Sequence, residues 1–508
     1  MQERIICPYC FANFYQDEVL FRAETCFTED DILDDYDIEV MPDGPEKVKA
    51  KIDNDLKKEF LAGVHPRYQQ FWERFNGTTE QTRRNSANIN SQFFENYQKP
   101  VISPKNPRHV LFDNIGQTAP KLDRDGFLSS VTDRFGKRTS NRVCPECCNP
   151  LPMNYGKFPV KFISIIGITG AGKTVYLSSL LDNMHIYAGK IGMTPLPNDA
   201  VNFFIETNKI AKDVTLPQGT PAARFSQPLC YNLQYFHSKT LQRETSTFVL
   251  YDIAGENCVD PAGIENFGPF ISRSDGIIIL QDPKQFDGIY NEAHSMIDTV
   301  LQTITNLFVG KQYCDIPLAM CISKADRLIQ DNLFEPALAD MLSSEVRSAL
   351  DFNGFCASEY NEISRMLNDF YFHQDPATRQ ALRNGFDNFN YFAVSSLNCE
   401  LKDTGARNEA TDGEPLLTPA EMPHPLRIEE PLFWLFTQFG FIQSDVPIIE
   451  HAIAGKIEKL NRQKKILQDQ YAEVESNLFP LGKQRKLRLL KDQLDDVEKQ
   501  LTDLINAK

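Results

Sequence analysis

A glycine-rich segment at residues 167–174 carries the clearest potential for chemistry in the sequence. It reads GITGAGKT, which satisfies the pattern G-x-x-x-x-G-K-[S/T]. Its glycines let backbone N–H groups converge on a phosphate at a helix N-terminus, while Lys173 supplies positive charge and the Thr174 hydroxyl can ligate Mg²⁺. Residues 162–166 predict the strand, and residues 175–185 the helix, that this motif needs on either side. The predicted phosphate-binding residues are Gly167, Thr169, Gly170, Ala171, Gly172, Lys173 and Thr174.

An acidic residue follows a second buried-looking strand, which the sequence predicts at residues 247–251. Asp252 can hold Mg²⁺ through water if its strand lies next to the strand before the glycine-rich segment. Gly255, three residues later, can offer its N–H to a γ-phosphate, and that contact disappears when the γ-phosphate leaves. Asp-x-x-Gly is also a common turn motif, so Asp252 and Gly255 indicate a phosphate site only in combination with the phosphate-binding candidates.

Two more predicted strand ends carry residues that can recognise a base. The strand at 318–322 is followed by Ser323, Lys324 and Asp326. The Asp326 carboxylate can accept hydrogen bonds from N1–H and the exocyclic amine of guanine, a donor edge that adenine lacks, and Lys324 can lie along the base and ribose. An ordinary salt bridge within the loop is the alternative for these two residues. The last predicted strand, at 391–394, is followed by Ser395, Ser396 and Leu397.

Two cysteine pairs have the form C-P-x-C, at Cys7 and Cys10 and at Cys144 and Cys147. In such a tight turn backbone N–H groups point at thiolate sulfur, and two turns together supply the four sulfurs of a structural Zn²⁺ site. The pairs resemble the halves of a zinc ribbon, but a spacer of 133 residues requires a domain-sized insertion between them. Cys148 adjoins the second pair and leaves the identity of the ligands open. A redox dithiol is the alternative.

Taken in chain order, GITGAGKT, Asp-x-Ala-Gly, Ser-Lys-Ala-Asp and Ser-Ser-Leu resemble the motif series of Ras-like GTPases of the TRAFAC class. The resemblance covers about residues 158–443. Together with the cysteine pairs, it is also similar to the pattern of bacterial double-GTPase or conflict-system GTPases. It implies binding of GTP and Mg²⁺, a six-stranded, mostly parallel sheet with one antiparallel strand, and a switch that the γ-phosphate orders.

The resemblance also implies roles for individual residues. The catalytic residues would be Lys173, Asp252, Gly255 and Glu256, and the Mg²⁺ ligands would be Thr174, Asp252 and a switch I threonine, Thr220 or alternatively Thr215. Glu256 stands where small GTPases have a water-orienting glutamine, and its negative charge repels the γ-phosphate, so we expect slow hydrolysis. Thr169 replaces a common glycine and could obstruct an arginine finger from a partner. Ser323 replaces the usual asparagine or threonine.

The elements that must position these residues follow a strand, loop, helix pattern, which indicates an α/β domain with a mostly parallel sheet. Further strands are predicted at 229–236 and 276–280, and further helices at 200–212, 290–308, 335–384 and 428–439. The strands near 229 and 250 have no helix-sized gap between them, so we expect that pair to be antiparallel. At the C-terminus, apolar residues with 3,4 spacing at 457–478 and 487–504 flank the breaker FPLG, which predicts an antiparallel helical hairpin. Use of this seam on a partner is the alternative.

Length and composition limit what the chain can be. It has 508 residues, 42% of them hydrophobic, and a formal charge of −16, which is typical of a multidomain globular protein and argues against a nucleic-acid-coating one. The start MQERIICPYC lacks a secretory apolar core, and no apolar stretch reaches the roughly 20 residues of a membrane span. We therefore expect a cytoplasmic protein with free or metal-bound thiols.

These observations predict a domain plan and a function. The plan is a split zinc ribbon at 1–16 and 127–157, an acidic, partly helical insertion at 17–126, a Ras-like P-loop GTPase domain at 158–445 and a coiled-coil helical hairpin at 446–508. The function is a GTP-binding switch with slow hydrolysis, whose ribbon, insertion or hairpin docks a protein effector or regulator or joins two copies. A P-loop ATPase or kinase, and a nucleotide-bound scaffold without turnover, are the alternatives.

Overall fold

The structure, a computed structural model, describes residues 4–24, 29–62, 66–76, 101–102, 104, 120–132, 136–167, 170–217, 227–236, 242–259, 261–286, 296–308, 314–344, 354–407, 415–476 and 483–506. Its β-strands are β1 (Ile5–Ile6), β2 (Asn13–Phe14), β3 (Leu20–Arg22), β4 (Val101–Ile102), β5 (Lys121–Leu122), β6 (Leu128–Thr132), β7 (Arg138–Thr139), β8 (Arg142–Val143), β9 (Val160–Gly167), β10 (Thr194–Pro197), β11 (Leu229–Phe236), β12 (Arg243–Ala254), β13 (Gly276–Gln281), β14 (Leu318–Ile322), β15 (Phe389–Ala393), β16 (Leu401–Arg407) and β17 (Pro415–Pro419). Its α-helices are α1 (Asp35–Glu39), α2 (Pro45–Ala62), α3 (Pro66–Asn76), α4 (Lys173–Asp182), α5 (Met184–Lys190), α6 (Asp199–Thr207), α7 (Pro261–Ser272), α8 (Ile297–Asn306), α9 (Ala325–Gln330), α10 (Pro336–Ser343), α11 (Ala357–Gln374), α12 (Pro376–Gly385), α13 (Glu430–Gln438), α14 (His451–Ser476) and α15 (Lys483–Asn506).

The largest sheet has seven strands in the order β10-β11-β12-β9-β13-β14-β15. The five strands from β12 to β15 in this order run parallel, while β10 and β11 are antiparallel to their neighbours. Gly167 at the end of β9 lies opposite Ala254 of β12 and Leu280 of β13. The carboxyl ends of the parallel strands therefore meet at one edge, where α/β sheets bind ligands.

Strand burial explains why the sequence forms a parallel sheet here. All six residues of β13 and all five of β14 are buried, as expected for strands with helices on both faces. Along β9 the side chains alternate: Ile163 and Ile165 join the apolar core on one face, and Phe162 and Ile166 join the core on the other. The mostly parallel α/β fold predicted from the sequence is thus the fold of this domain.

The prediction of six strands was wrong, because the sheet has a seventh, β10, at its antiparallel edge. Its sequence, Thr194-Pro195-Leu196-Pro197, contains two prolines, which are depleted in strands and found at edges. All four β10 residues pair with β11, from Thr194 with Gln234 to Pro197 with Tyr231. A second hairpin, β16 with β17, was not predicted either and forms its own two-stranded sheet.

The N-terminal region packs against the large sheet. Small antiparallel sheets, β1-β2, β4-β3-β8 and β5-β6-β7, surround the two cysteine pairs. β3 falls within the predicted insertion, yet Leu20 pairs with Val143 next to the second cysteine pair. The Phe11 ring packs against Phe162, Tyr251 and Phe270 of the α/β domain, with ring centroids 5.0 to 6.1 Å apart.

The C-terminal helices α14 and α15 pack on each other through an apolar seam. Leu467, Leu490, Val497 and Leu501 are buried between them, and Lys464 forms an ion pair with Glu498 at 2.8 Å. Both apolar runs at 457–478 and 487–504 thus fall mainly within these helices, and residues 477–482 lie outside the described part. Among the described helices, none is both long enough and apolar enough to cross a bilayer.

His451, the first residue of α14, joins this hairpin to the α/β domain and gives stability a pH dependence. It is 7% exposed, and its Nε2 lies 2.9 Å from the Ser364 hydroxyl. Burial, aided by the positive charges of Arg379, Arg383 and Arg365, lowers the pKa of His451 to about 4 from an ordinary 6.5. Between these two pKa values the unfolded chain binds more protons than the folded one. The contribution of His451 to the free energy of unfolding is therefore fully present above pH 6.5, and about 3 kcal/mol is lost as the pH drops towards 4.

We therefore expect His451→Gln, which keeps a polar partner for Ser364, to flatten the pH dependence of thermal unfolding between pH 4.5 and 7. Thermal melts of both proteins across this range measure it. Exposed His185 provides the matched control, since His185→Gln removes a histidine that is not buried. Parallel pH curves for the wild type and His451→Gln would contradict the expectation.

Candidate functional site

A cavity of about 710 Å³ opens at the carboxyl edge of the large sheet. It brings together residues from three of the motifs found in the sequence, and Glu256, which follows Asp-x-Ala-Gly, also lies on its wall. The predicted residues on its walls are Gly170, Ala171, Gly172, Lys173, Thr174, Glu256, Ser323, Lys324, Asp326, Ser395, Ser396 and Leu397. The cavity has the size of a typical small-molecule site.

One end of the cavity is built for an anion. Gly170 and Gly172 have positive φ angles of 86° and 77°, a conformation that glycine adopts readily, and Gly172 caps the N-terminus of α4. Lys173 is 7% exposed and its Nζ donates to the Gly167 carbonyl at 2.8 Å. The N-terminus of α4, where backbone N–H groups point out of the helix, and a lysine ammonium thus lie at the same end of the cavity, which suits a phosphate.

Gly167 is a glycine because of its neighbours. A Cβ at this position would lie 3.0 Å from the Leu280 carbonyl and 3.0 Å from the Lys173 Cγ. The end of β9 therefore needs a residue without a Cβ, so that the Lys173 side chain can fold back over it. Residues 168 and 169, including the predicted Thr169, lie outside the described residues.

Lys324 connects the anion end of the cavity to its other end. It has a φ of 51°, and its Nζ donates to the Gly170 carbonyl at 2.6 Å and forms an ion pair with Asp282. Asp282 is 3% exposed and also accepts from the Lys284 N–H at 2.9 Å. The lysine stem is thereby held along the cavity wall, with its charge fixed at the glycine-rich loop.

Asp326 lies at the far end and is held by a hydroxyl. Ser395 is 1% exposed, and its Oγ donates to Asp326 Oδ1 at 2.5 Å while accepting from the Asn398 N–H at 3.1 Å. Ser323 is buried, and its hydroxyl donates to the Gln281 carbonyl at 3.1 Å. Ser323 therefore ties two strand ends together, and the Asp326 carboxylate is the acceptor that faces the cavity.

The remaining predicted residues lie beside the cavity or outside the described residues. Asp252 is half-buried on β12, opposite Ile165, two positions before the strand end. Gly255 opens a short 3₁₀ turn at Gly255–Cys258, and Glu256 of this turn reaches the cavity. Thr215 is exposed and does not line the cavity, and Thr220 lies outside the described residues.

Sequence reasoning missed several residues of this site. Asp282 follows the apolar strand β13 directly, which was a usable signal, because polar residues after parallel strands collect at the same sheet edge. The apolar wall carried no such signal. It is formed by Leu216, Pro217, Leu401, Pro415, Leu416 and Leu417.

The four cysteines of the two pairs form one cluster in which all sulfurs lie within 4.8 Å of one another. Cys7 Sγ lies 3.7 Å from Cys147 Sγ, and Cys10 Sγ lies 3.7 Å from Cys144 Sγ. A tetrahedral site with Zn–S bonds of 2.3 Å has sulfurs about 3.8 Å apart, so these residues fit zinc. Backbone N–H groups of residues 9 and 146 lie 3.4 Å from the Cys7 and Cys144 sulfurs.

The two cysteine turns share one backbone conformation, which accounts for the position of Cys148. In the first turn Phe11, with φ of 57°, donates its N–H to the Cys7 carbonyl, and in the second Cys148, with φ of 56°, donates to Cys144. Cys148 thus occupies the left-handed position after the second pair and is not part of the four-sulfur cluster. Burial raises the pKa of its thiol to about 11.

Comparisons with known proteins agree with this geometry. Residues 161–365 match the family model Double-GTPase 2, a stretch of 205 of the 508 residues. This segment is a P-loop GTPase domain of the double-GTPase type. No curated protein matches the chain.

The fold also aligns with solved GTPase structures. Sup35 complexed with GDP is 13% identical, and the alignment covers 47% of this chain and 38% of that one with a TM-score of 0.21. A variant of Aquifex aeolicus Era bound to GDP and AlF₄⁻ is 11% identical, with 60% of this chain and 68% of that one covered and a TM-score of 0.24. The GTP-bound GTPase-like domain of S. cerevisiae Ski7 is 13% identical, with 47% of this chain and 43% of that one covered and a TM-score of 0.21. The alignments thus span less than half of the Sup35 and Ski7 chains.

Proposed function

We propose that the protein is a GTP-binding switch that hydrolyses GTP slowly. The observation that carries this proposal is the convergence of the glycine-rich loop, Lys324 and Asp326 on one cavity, linked by the hydrogen bond from Lys324 to Gly170. Phosphates would bind at the N-terminus of α4, and Asp326 would accept the two donors of the guanine edge.

Residue roles follow from this placement. Lys173 binds the β- and γ-phosphates, and the buried Ser395 hydroxyl orients the Asp326 carboxylate towards the base. Mg²⁺, when bound, would neutralise phosphate charge, and Thr174 and Asp252 are the residues that would hold it. Glu256 brings a negative charge to the phosphate end of the cavity, which supports slow rather than fast hydrolysis.

The switch would reach the cysteine cluster through α7. This helix follows Gly255 after the short turn, and Phe267 and Phe270 on it contact Phe75 of α3 at 5.7 and 6.1 Å. Arg74 donates to the Asn266 side chain at 2.9 Å. A displacement of Gly255 on loss of the γ-phosphate would therefore move α7 and the contacts that α7 makes with α3. Helix α3 and the zinc ribbon are the surfaces proposed to dock a protein partner.

Replacing Asp326 with asparagine tests the base assignment. The amide presents donors where the carboxylate accepted, so it no longer matches guanine but matches xanthine, which carries a carbonyl in place of the amine. We expect GTP affinity to fall at least about thirtyfold and XTP affinity to rise by a similar factor. Titration calorimetry with GTP, XTP and ATP measures both changes.

Asp331→Asn, an exposed change just after α9, is the control for folding and charge. Tight ATP binding by the wild type, or an unchanged preference in Asp326→Asn, would favour the ATPase or kinase alternative. Release of phosphate over many turnovers from GTP separates a switch from a scaffold that merely holds nucleotide.

A further inference from the structure

The hairpin of β16 and β17 stands over the end of the cavity where Asp326 lies. It follows Ser395–Leu397 in the chain, and it contributes Leu401, Leu416 and Leu417 to the cavity wall. Residues 402–407 of β16 are exposed, whereas these three leucines are half-buried. The apolar surface of the hairpin is thus concentrated on its cavity side.

Both ends of this hairpin are anchored to the loop that holds Asp326. Ser395 and Leu426 exchange backbone hydrogen bonds of 3.0 and 2.8 Å, and His424 donates its N–H to the Leu397 carbonyl at 2.8 Å. Ala420 donates to Glu400 at 2.8 Å. Because Ser395 also holds Asp326, the position of the hairpin is fixed relative to the base-recognition carboxylate.

The outer strand of the hairpin also binds the chain just before the predicted switch I threonine. The Leu216 N–H donates to the Leu417 carbonyl at 2.9 Å, and the Asp213 N–H donates to the Pro419 carbonyl at 3.0 Å. Leu216 and Pro217 then line the same cavity as the hairpin leucines. Residues 213–217 therefore join β17 along its free side and complete an apolar wall.

We propose that this hairpin is a purine clamp: its leucines pack on the face of the guanine ring while Asp326 binds the edge of that ring. The inference rests on the proposed function, and it identifies the hairpin leucines as the residues that hold the nucleoside in the cavity. An aromatic ring facing half-buried leucines removes apolar surface of both from water. Residues 213–217, which lead into the predicted switch I threonine, hold β17 through backbone hydrogen bonds. Release of the base therefore depends on the position of these residues.

A double variant, Leu401→Ser with Leu416→Ser, tests the clamp. We expect tritiated GDP to dissociate at least tenfold faster from it than from the wild type in a filter-binding chase. Competition by inorganic tripolyphosphate, which has no base, should be unchanged, since the anion end of the cavity is intact. Leu196→Ser, a change of an exposed leucine on β10 that is 49% exposed, is the matched control.

A second pair of variants tests the backbone link without relying on the leucines. Leu216→Pro removes the N–H that donates to Leu417, whereas Leu216→Ala keeps it. We expect faster GDP release from the proline variant than from the alanine variant, by about threefold or more.

The outcomes separate this inference from the proposed function. A wild type that binds no guanine nucleotide would refute the proposed function itself. Equal GDP dissociation rates in the wild type and the double variant would overturn the clamp alone. Loss of tripolyphosphate binding in the double variant would also overturn it, because the effect would then be a general disturbance of the cavity.

Discussion

Replacing Lys173 with alanine is expected to reduce GTP and GDP affinity by on the order of a hundred- to a few thousandfold. Lys173 is buried at the N-terminus of α4, where its ammonium would be the nearest fixed positive charge to the phosphates. Removing one partner of a buried charge pair costs about 3–5 kcal/mol, since the other charge is left without compensation. Titration calorimetry with GDP and with inorganic tripolyphosphate measures the change.

The same loss should appear with tripolyphosphate, because the contact is to phosphate alone. Lys209→Ala, which removes an exposed lysine outside the cavity, is the control and should leave both affinities unchanged. The pattern also separates the two ends of the cavity, since Asp326→Asn should spare tripolyphosphate. Retention of wild-type affinity by Lys173→Ala would contradict the placement of the phosphates.

The second large effect concerns the cysteine cluster. Cys144→Ser is expected to remove bound zinc and to lower the melting temperature by more than about 10 °C, since structural zinc commonly contributes about 10–16 kcal/mol of binding energy at neutral pH. Cys144 is fully buried, and its sulfur lies 3.7 Å from that of Cys10. Elemental analysis of the purified protein and thermal melts measure the two quantities.

Cys148→Ser is the discriminating control, because it changes the neighbouring thiol that lies outside the four-sulfur cluster. We expect this variant to keep one zinc per chain. Zinc lost from Cys148→Ser but kept by Cys144→Ser would reverse the ligand assignment. A wild type free of zinc would refute the site.

Much of the α/β domain was predictable from local pattern. Strands were predicted at 229–236 and 318–322, and the structure has strands with these bounds. Both are apolar runs bounded by loop residues, and their burial makes the pattern strong. The long helical prediction at 335–384 contains three helices, α10, α11 and α12, because proline begins α10 and α12 and periodicity alone does not mark such starts.

The parts that were missed depend on contacts that no local pattern records. β10 is held by its pairing with β11 in spite of two prolines. β16 is mostly polar, and the place of its hairpin over the cavity follows from hydrogen bonds between β17 and residues 213–217, about 200 positions earlier. The candidate site shows the same division: the motif GITGAGKT is recognisable in the sequence, whereas the apolar wall with Leu401, Leu416 and Leu417 is recognisable only once the hairpin is placed.

The wide separation of the two cysteine pairs has a consequence for folding order. Closing a loop of 133 residues costs an unfolded chain roughly 5 kcal/mol in entropy. A metal ion meeting the nascent polypeptide would find one pair at a time, too few thiolates for lasting capture. The pairing of Leu20 with Val143, and the bond from Arg22 to the Cys148 carbonyl, must first hold the distant halves together. We therefore expect metal uptake to be a late event in the maturation of this protein.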